Sequence, residues 1–363
     1  MPTLLDPIRL GAVAAPNRIL MAPMTRGRAT RDHMPTPIMA AYYAQRASAG
    51  LILSEAVGIS RQGLGWPFAP GLWSDEQVTA WQPITRAVHA AGGRIFAQLW
   101  HMGRTVHPSF LDGAPPVSAS ATTAPIYAHT YGGKQPYQRA RALDIAEIAA
   151  IVGDYRVAAG NAIRAGFDGV ELHAANGYLV DQFMRDGTND RTDVYGGSID
   201  KRLRLLREVI EAMVEAAGAD RTALRLSPND MAQGCDDSDP SALFRAVAQL
   251  LDGYRLAFLE LRASRAATSF QPKGVRRLPT RDLAPMIREI FTGPLVLNSD
   301  YRLEDGSAAL ASGQADAISF GRTFIANPDL PDRLAAALPL DPDEMATWYG
   351  RGPRGYVEYR RLG

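Results

Sequence analysis

The sequence predicts an α/β chain folded as one (β/α)8 barrel over residues 1–363, with a long excursion after the third strand. Eight short apolar runs punctuate the chain, as strands buried on both faces require. Longer stretches with apolar residues three and four apart separate these runs, and such alternation over eight strands describes a closed parallel barrel. No G-x-G-x-x-G opens a helix after the first strand, which disfavours the nearest alternative, an open doubly wound sheet.

The expected strands are, in order, 18–21, 51–54, 94–99, 169–173, 222–226, 257–261, 295–298 and 317–320. The expected helix over 78–91 stops at Gly92-Gly93, that over 144–165 at Gly166, and that over 201–217 at Gly218. Glycine suits the left-handed turn that ends many helices. Two shorter helices, 282–290 and 303–311, fill the late gaps. The chain exceeds a plain barrel of ~250 residues by about 100. Much of the excess falls between Met102 and Ala142, with Pro108, Pro115, Pro116, Pro125, Gly132, Gly133 and Pro136. A connection of that length is expected to carry a function; here it crosses the barrel mouth with a short hairpin. The tail from Trp348 to Gly363, aromatic and glycine-rich, is expected to close back over the barrel without forming a helix.

Lys+Arg (39) and Asp+Glu (38) nearly cancel, to a formal net charge of +1, and no basic run invites a nucleic acid. One cysteine, Cys235, excludes an internal disulfide, an iron–sulfur cluster and a cysteine-rich zinc site. No basic-then-apolar leader opens the sequence, and no apolar run nears the ~20 residues of a membrane span. A cytoplasmic protein, monomeric or homodimeric, is expected.

A parallel barrel carries its active site at the C-terminal ends of its strands. There the sequence gathers Pro23-Met24-Thr25-Arg26, Ser54-Glu55-Ala56, Gln98-Leu99-Trp100-His101, His173-Ala174-Ala175-Asn176-Gly177-Tyr178, Arg225, Asn298-Ser299-Asp300 and Gly321-Arg322. Arg322 and the Gly321 amide follow the eighth strand, where barrels commonly hold phosphate, and a guanidinium grips phosphate with a charged fork. Arg225 interrupts an apolar strand and needs an anion, either a ligand or Glu171. Gln98 offers both a donor and an acceptor. His173 and Asn176 can both donate to one oxygen; metal binding is disfavoured, because neither a carboxylate nor a second histidine stands at ligand spacing. Tyr178 is a phenol that stays protonated at neutral pH.

These motifs resemble the old yellow enzyme family of flavin-dependent ene-reductases. The resemblance runs from Pro7 to Tyr359 through Ala15-Pro16-Asn17-Arg18, Met21 to Arg26, Gln98 to His101, Glu171 to Leu179, Arg191 to Ser198 and Phe320-Gly321-Arg322. It implies FMN, with NADPH or NADH as electron donor. It implies that Pro23, Met24 and Ala56 pack on the flavin and that Thr25 donates to O4. Gln98 meets the pyrimidine edge, and Arg225 meets the N1/O2 edge, which is negative when reduced. Ser299, Asp300, Gly321 and Arg322 take the phosphate. His173, also in reach of the flavin, and Asn176 anchor the carbonyl or nitro oxygen of an electrophilic alkene. Tyr178 protonates the α-carbon. Trp66, Trp100 and Tyr349 line the substrate pocket.

The sequence departs from the family twice. Asn298-Ser299-Asp300 replaces a glycine-rich turn, and an Asp beside phosphate repels it unless it points away. Tyr349-Gly350-Arg351-Gly352 replaces a tyrosine followed by three glycines. The loop 271–277 is expected at the substrate entrance. Reduction of enones, enals, maleimides or nitroalkenes is the expected activity. An FMN-barrel isomerase or cyclase acting on a natural-product intermediate is the alternative, and the retained Tyr178 argues against it. A Schiff-base lyase would want a strand-end lysine, and none is present. The dense polar set argues against a non-catalytic binding barrel.

Overall fold

The computed structural model describes residues 1–262 and 282–361, so the expected entrance loop 271–277 lies outside the described residues. Eight parallel strands close a barrel: β1 (Ile19–Met21), β2 (Leu51–Gly58), β3 (Ile95–Trp100), β4 (Gly169–His173), β5 (Thr222–Leu226), β6 (Leu259–Arg262), β7 (Leu295–Asn298) and β8 (Ala317–Phe320). Each strand leads to a helix: α1 (Pro37–Ala44), α2 (Asp75–Ala90), α3 (Ile145–Arg164), α4 (Arg204–Ala217), α5 (Pro240–Asp252), α6 (Ala284–Ile290), α7 (Leu303–Ala311) and α8 (Arg322–Ala326).

Every expected strand forms. β2 runs four residues beyond its apolar core because a bulge between Leu53 and Ala56 lets it keep pairing with β3. The expected helix 201–217 breaks at Leu203, leaving a short turn, Ile199–Arg202, ahead of α4. Three of these helices were not expected: α1, α5 and the five-residue α8. α1 buries Met39, Tyr42 and Tyr43 and shows no polar stripe to betray it. α5 carries clear start signals, Asp239 capping Ala242 N–H at 3.0 Å and Pro240 in the first turn.

Apolar side chains fill the lower barrel. Leu20, Leu51, Leu53, Phe96, Ala223, Phe258 and Val296 form one buried cluster with Leu10, Val13 and Ala15. Those last three belong to an antiparallel hairpin, Ile8–Leu10 with Val13–Ala15, that shuts the bottom. Closing one end with hydrocarbon confines polar groups to the other.

The excursion carries the expected hairpin, Tyr127–Thr130 with Gly133–Pro136. The tail also folds back as expected. Arg26 donates to the carbonyls of Trp348 (3.1 Å) and Gly355 (2.7 Å), and Arg28 to Trp348 (2.7 Å). Tyr356 stacks on Tyr42 with ring centroids 4.0 Å apart. Among the described residues no helix is long and apolar enough to cross a membrane.

Candidate active site

The bulge in β2 sets Ala56 opposite Gln98, so two expected cofactor contacts share one register position. Gln98 Nε2 donates to Glu171 Oε1 at 2.8 Å. Arg225 is buried as expected, but its acidic partner is not Glu171. Its Nη1 meets Glu260 Oε2 at 2.5 Å and its Nη2 meets Asn298 Oδ1 at 2.7 Å. Register explains the correction: Arg225 pairs with Glu260 across β5 and β6, while Glu171 pairs with Ala223.

The loop after β4 builds the second wall. His173 Nε2 lies 3.5 Å from Asn176 Nδ2. Arg262 Nη1 donates to Asn176 Oδ1 at 2.7 Å and pairs with Asp230 at 3.2 Å. That bond fixes the carboxamide so that its NH2 turns toward His173. Asn176 stands in the left-handed region at φ 60, which Asn tolerates better than most residues. Gly177 follows at φ 75, and a Cβ there would fall 2.3 Å from the Ala232 carbonyl, so only glycine fits. Its N–H donates to Asp181, which is ion-paired with Arg185 at 2.7 Å inside the core.

Tyr178 meets His173 edge-on at 4.9 Å and Trp100 edge-on at 4.9 Å. Burial, followed by the nearby Arg225 and Arg262, holds the His173 imidazolium well below its usual pKa, so the ring is neutral. Burial also pushes the Tyr178 phenol above its usual value near ~10. Both groups therefore keep the protonation state a donor requires across the physiological range.

Across the mouth, Ser299 (φ 113) and Asp300 (φ 46) turn the chain after β7. Asp300 does not stand bare beside the expected phosphate site, because Arg322 Nη2 holds its carboxylate at 2.6 Å. Gly321 faces Met24 from the loop after β1. Pro23, Met24 and Thr25 are half-buried in that loop. Glu55, buried beneath it, accepts the backbone N–H groups of Arg26 and Gly27, both at 3.2 Å. At the rim, Trp66 contacts Tyr349 (5.4 Å) and His129 (4.8 Å). Tail and hairpin thus converge on the expected pocket tryptophan.

The residues fit a flavin mononucleotide. His173 Nδ1, Trp100 Nε1 and Ser299 Oγ are buried with no protein partner, so orphaned polar atoms stand on both walls. A carboxamide, a guanidinium and a neutral imidazole line one wall, and the turn with the Asp300–Arg322 pair closes the other end. Among the described residues no group of three or more His, Cys, Asp or Glu could hold a metal ion.

Comparison with known proteins agrees with this geometry. Residues 3–341 match the NADH:flavin oxidoreductase / NADH oxidase family. The chain superposes on the old yellow enzyme homologue from Zymomonas mobilis with a TM-score of 0.96, at 56% identity over 99% of this chain and 100% of that one. The chain belongs to the old yellow enzyme family. A structure of morphinone reductase in complex with tetrahydroNAD aligns with a TM-score of 0.92, at 42% identity over 100% of this chain and 98% of the other. 12-Oxophytodienoate reductase 2 of Arabidopsis thaliana is 39% identical over 364 residues, 99% of this chain and 96% of its own. This old yellow enzyme is an FMN-dependent oxidoreductase that draws on NAD(P)H and reduces activated C=C bonds.

Sequence reading missed three contributors to its mouth: Arg262, Asp230 and His129. Arg262 sits one residue past the apolar run of β6 and meets Asn176 across 86 residues of chain, so no local spacing signals the pair.

Proposed function

We propose that this old yellow enzyme reduces electrophilic alkenes whose carbonyl or nitro oxygen is gripped by His173 and Asn176, with Tyr178 as the proton donor. The observation that carries this is the 3.5 Å between His173 Nε2 and Asn176 Nδ2, with Tyr178 packed on the same imidazole. Two nitrogens so spaced can both donate to one oxygen at ordinary hydrogen-bond length. FMN held there would supply the hydride, with NADPH or NADH as the source of electrons.

As the β-carbon of the alkene is attacked, negative charge gathers on the gripped oxygen. The two fixed donors stabilise that charge more than they stabilise the ground state. Tyr178 then gives its phenolic proton to the α-carbon. Gln98, Arg225, Thr25 and the backbone near Pro23, Met24 and Ala56 hold the cofactor ring. The backbone amides of Ser299, Asp300 and Gly321, with the Arg322 guanidinium, hold its phosphate. Trp100 walls the cavity beside Tyr178, while Trp66 and Tyr349 bound its entrance. The isomerase or cyclase alternative gains no support.

Aerobic purification followed by anaerobic NADPH titration tests this reading. The expected result is a yellow protein bleached by NADPH and re-oxidised by 2-cyclohexenone with saturated ketone as product. A protein that bleaches but returns a rearranged alkene overturns it.

A further inference from the structure

Six consecutive strands contribute one polar side chain each to a ring inside the barrel: Gln98 on β3, Glu171 on β4, Arg225 on β5, Glu260 on β6, Asn298 on β7 and Ser319 on β8. The proposed chemistry uses Gln98 and Arg225 but not the two glutamates. Both glutamates are fully buried, and one arginine lies between their strands.

Their hydrogen bonds are unequal. Glu260 accepts from Arg225 on Oε2, at 2.5 Å, and from the Ser319 hydroxyl on Oε1. Glu171 accepts on Oε1 from Gln98 at 2.8 Å, while its Oε2 is buried with no N–H or hydroxyl donor. The two carboxyl groups stand on strands that flank β5, both fully buried, so the charge of one bears on the other. Two ionised carboxylates that face each other in a buried site repel, and a proton between them converts that repulsion into a bond. Counting donors locates the proton. Glu260 already receives two donors, whereas Glu171 keeps one oxygen without a protein donor, which a proton of its own satisfies. Burial, then the charge of Glu260, raises the affinity of Glu171 for that proton.

We propose that Glu171 and Glu260 share one proton, carried by Glu171, and that Glu260 alone neutralises Arg225 and thereby holds down the reduction potential of the bound flavin. The inference rests on the reading that the flavin N1/O2 edge lies against Arg225. Reduction by hydride brings two electrons and one proton and leaves the cofactor one charge more negative. An unopposed guanidinium would stabilise that charge and retain the electrons. Glu260 offsets it, so the reduced cofactor passes hydride to the alkene more readily. Glu260 acts through Arg225 and is a positioning residue.

The test compares Glu260→Gln with Glu171→Gln in flavin-loaded protein by spectroelectrochemistry. Glu260→Gln is expected to raise the two-electron midpoint potential by about 30 mV or more, the equivalent of a tenfold shift for such a couple. It should also speed reduction by NADPH and slow re-oxidation by alkene. Glu171→Gln replaces one neutral group by another and is expected to leave the potential unchanged. Equal shifts in both variants, the reverse asymmetry, or no shift in either would overturn the proposal. Should Glu260→Gln fail to fold, infrared difference spectra of wild-type and Glu171→Gln apoprotein decide. A carboxylic-acid C=O band lost in Glu171→Gln supports the shared proton, and its absence from wild type overturns it. Protein that purifies without flavin would instead count against the cofactor reading.

Discussion

The wall bearing His173, Asn176 and Tyr178 and the turn bearing Ser299, Asp300 and Arg322 face one mouth but are held very differently. Behind the first, Arg262 fixes the Asn176 carboxamide, Asp181 holds the Gly177 amide and Arg185 holds Asp181. The second is tied by one ion pair whose side chains are 45% and 54% exposed. A site that must stabilise fleeting charge gains from donors already in place before reaction. A phosphate carries its own charge and can draw an exposed arginine to itself. Under the proposed roles, stiffness is thus concentrated where charge moves.

Breaking the stiff wall should cost most at Tyr178. Tyr178→Phe removes the proton but keeps the ring against Trp100 and His173, so the expected loss is in re-oxidation by alkene, about a hundredfold to ten-thousandfold. Reduction by NADPH should be unaffected, and stopped-flow of the two half-reactions separates them. The phenol is active when protonated, and burial raises its pKa. The wild-type rate should therefore hold as pH rises to 10 and fall only above it. An alkaline limb below pH 10 shared by Tyr178→Phe would show that another group supplies the proton.

His173→Ala comes next, with an expected loss of about 3 kcal/mol in transition-state binding, as for removal of one oxyanion donor. It should also weaken phenol binding, measured by flavin difference spectra. Because the imidazolium is disfavoured by burial and by Arg225 and Arg262, the ring stays neutral at its ordinary pKa near ~6.5 and above. No acid limb centred near pH ~6.5 should vanish in the variant.

Arg262→Met sharpens the comparison, since it touches the wall only from behind. Losing a charged hydrogen bond costs about 1.5–3 kcal/mol in general. Asn176 is only partly buried, which places the effect at the low end, roughly a tenfold fall in re-oxidation rate. The flavin spectrum should not change. An unaltered rate would mean that Asn176 holds its orientation without Arg262.

The two regions also differ in how far the sequence discloses them. Barrel strands are legible because burial on both faces leaves unbroken apolar runs, and a strand end then marks a side chain as facing the mouth. His173, Asn176 and Tyr178 fall together because one short loop carries all three. The partner of Arg225 was illegible, because Glu171 and Glu260 occupy neighbouring strands on either side and only register selects between them. Arg262 and His129 reach the mouth by closure of the barrel and by the fold of the excursion, neither of which leaves a local spacing. The Asp300–Arg322 pair joins consecutive strand ends, and the sequence names both residues without disclosing their contact.

That pair supports the smallest prediction, whose sign runs against intuition. Asp300 stands at a turn expected to bind phosphate, yet its carboxylate competes with phosphate for Arg322. An exposed pair of this kind is worth about 0–1 kcal/mol. Asp300→Asn removes the charge and keeps a residue that tolerates φ 46, so backbone strain does not confuse the outcome. FMN should bind the apoprotein more tightly, by up to about fivefold at low salt, and the gain should shrink as salt screens the site. Flavin fluorescence quenching at two ionic strengths measures both effects. Arg322→Ala should move affinity the other way, which distinguishes loss of a competitor from loss of the turn. If Asp300→Asn instead weakens FMN binding, the carboxylate is what holds Arg322 in place for the phosphate, and the loose end of the mouth is as preorganised as the stiff one.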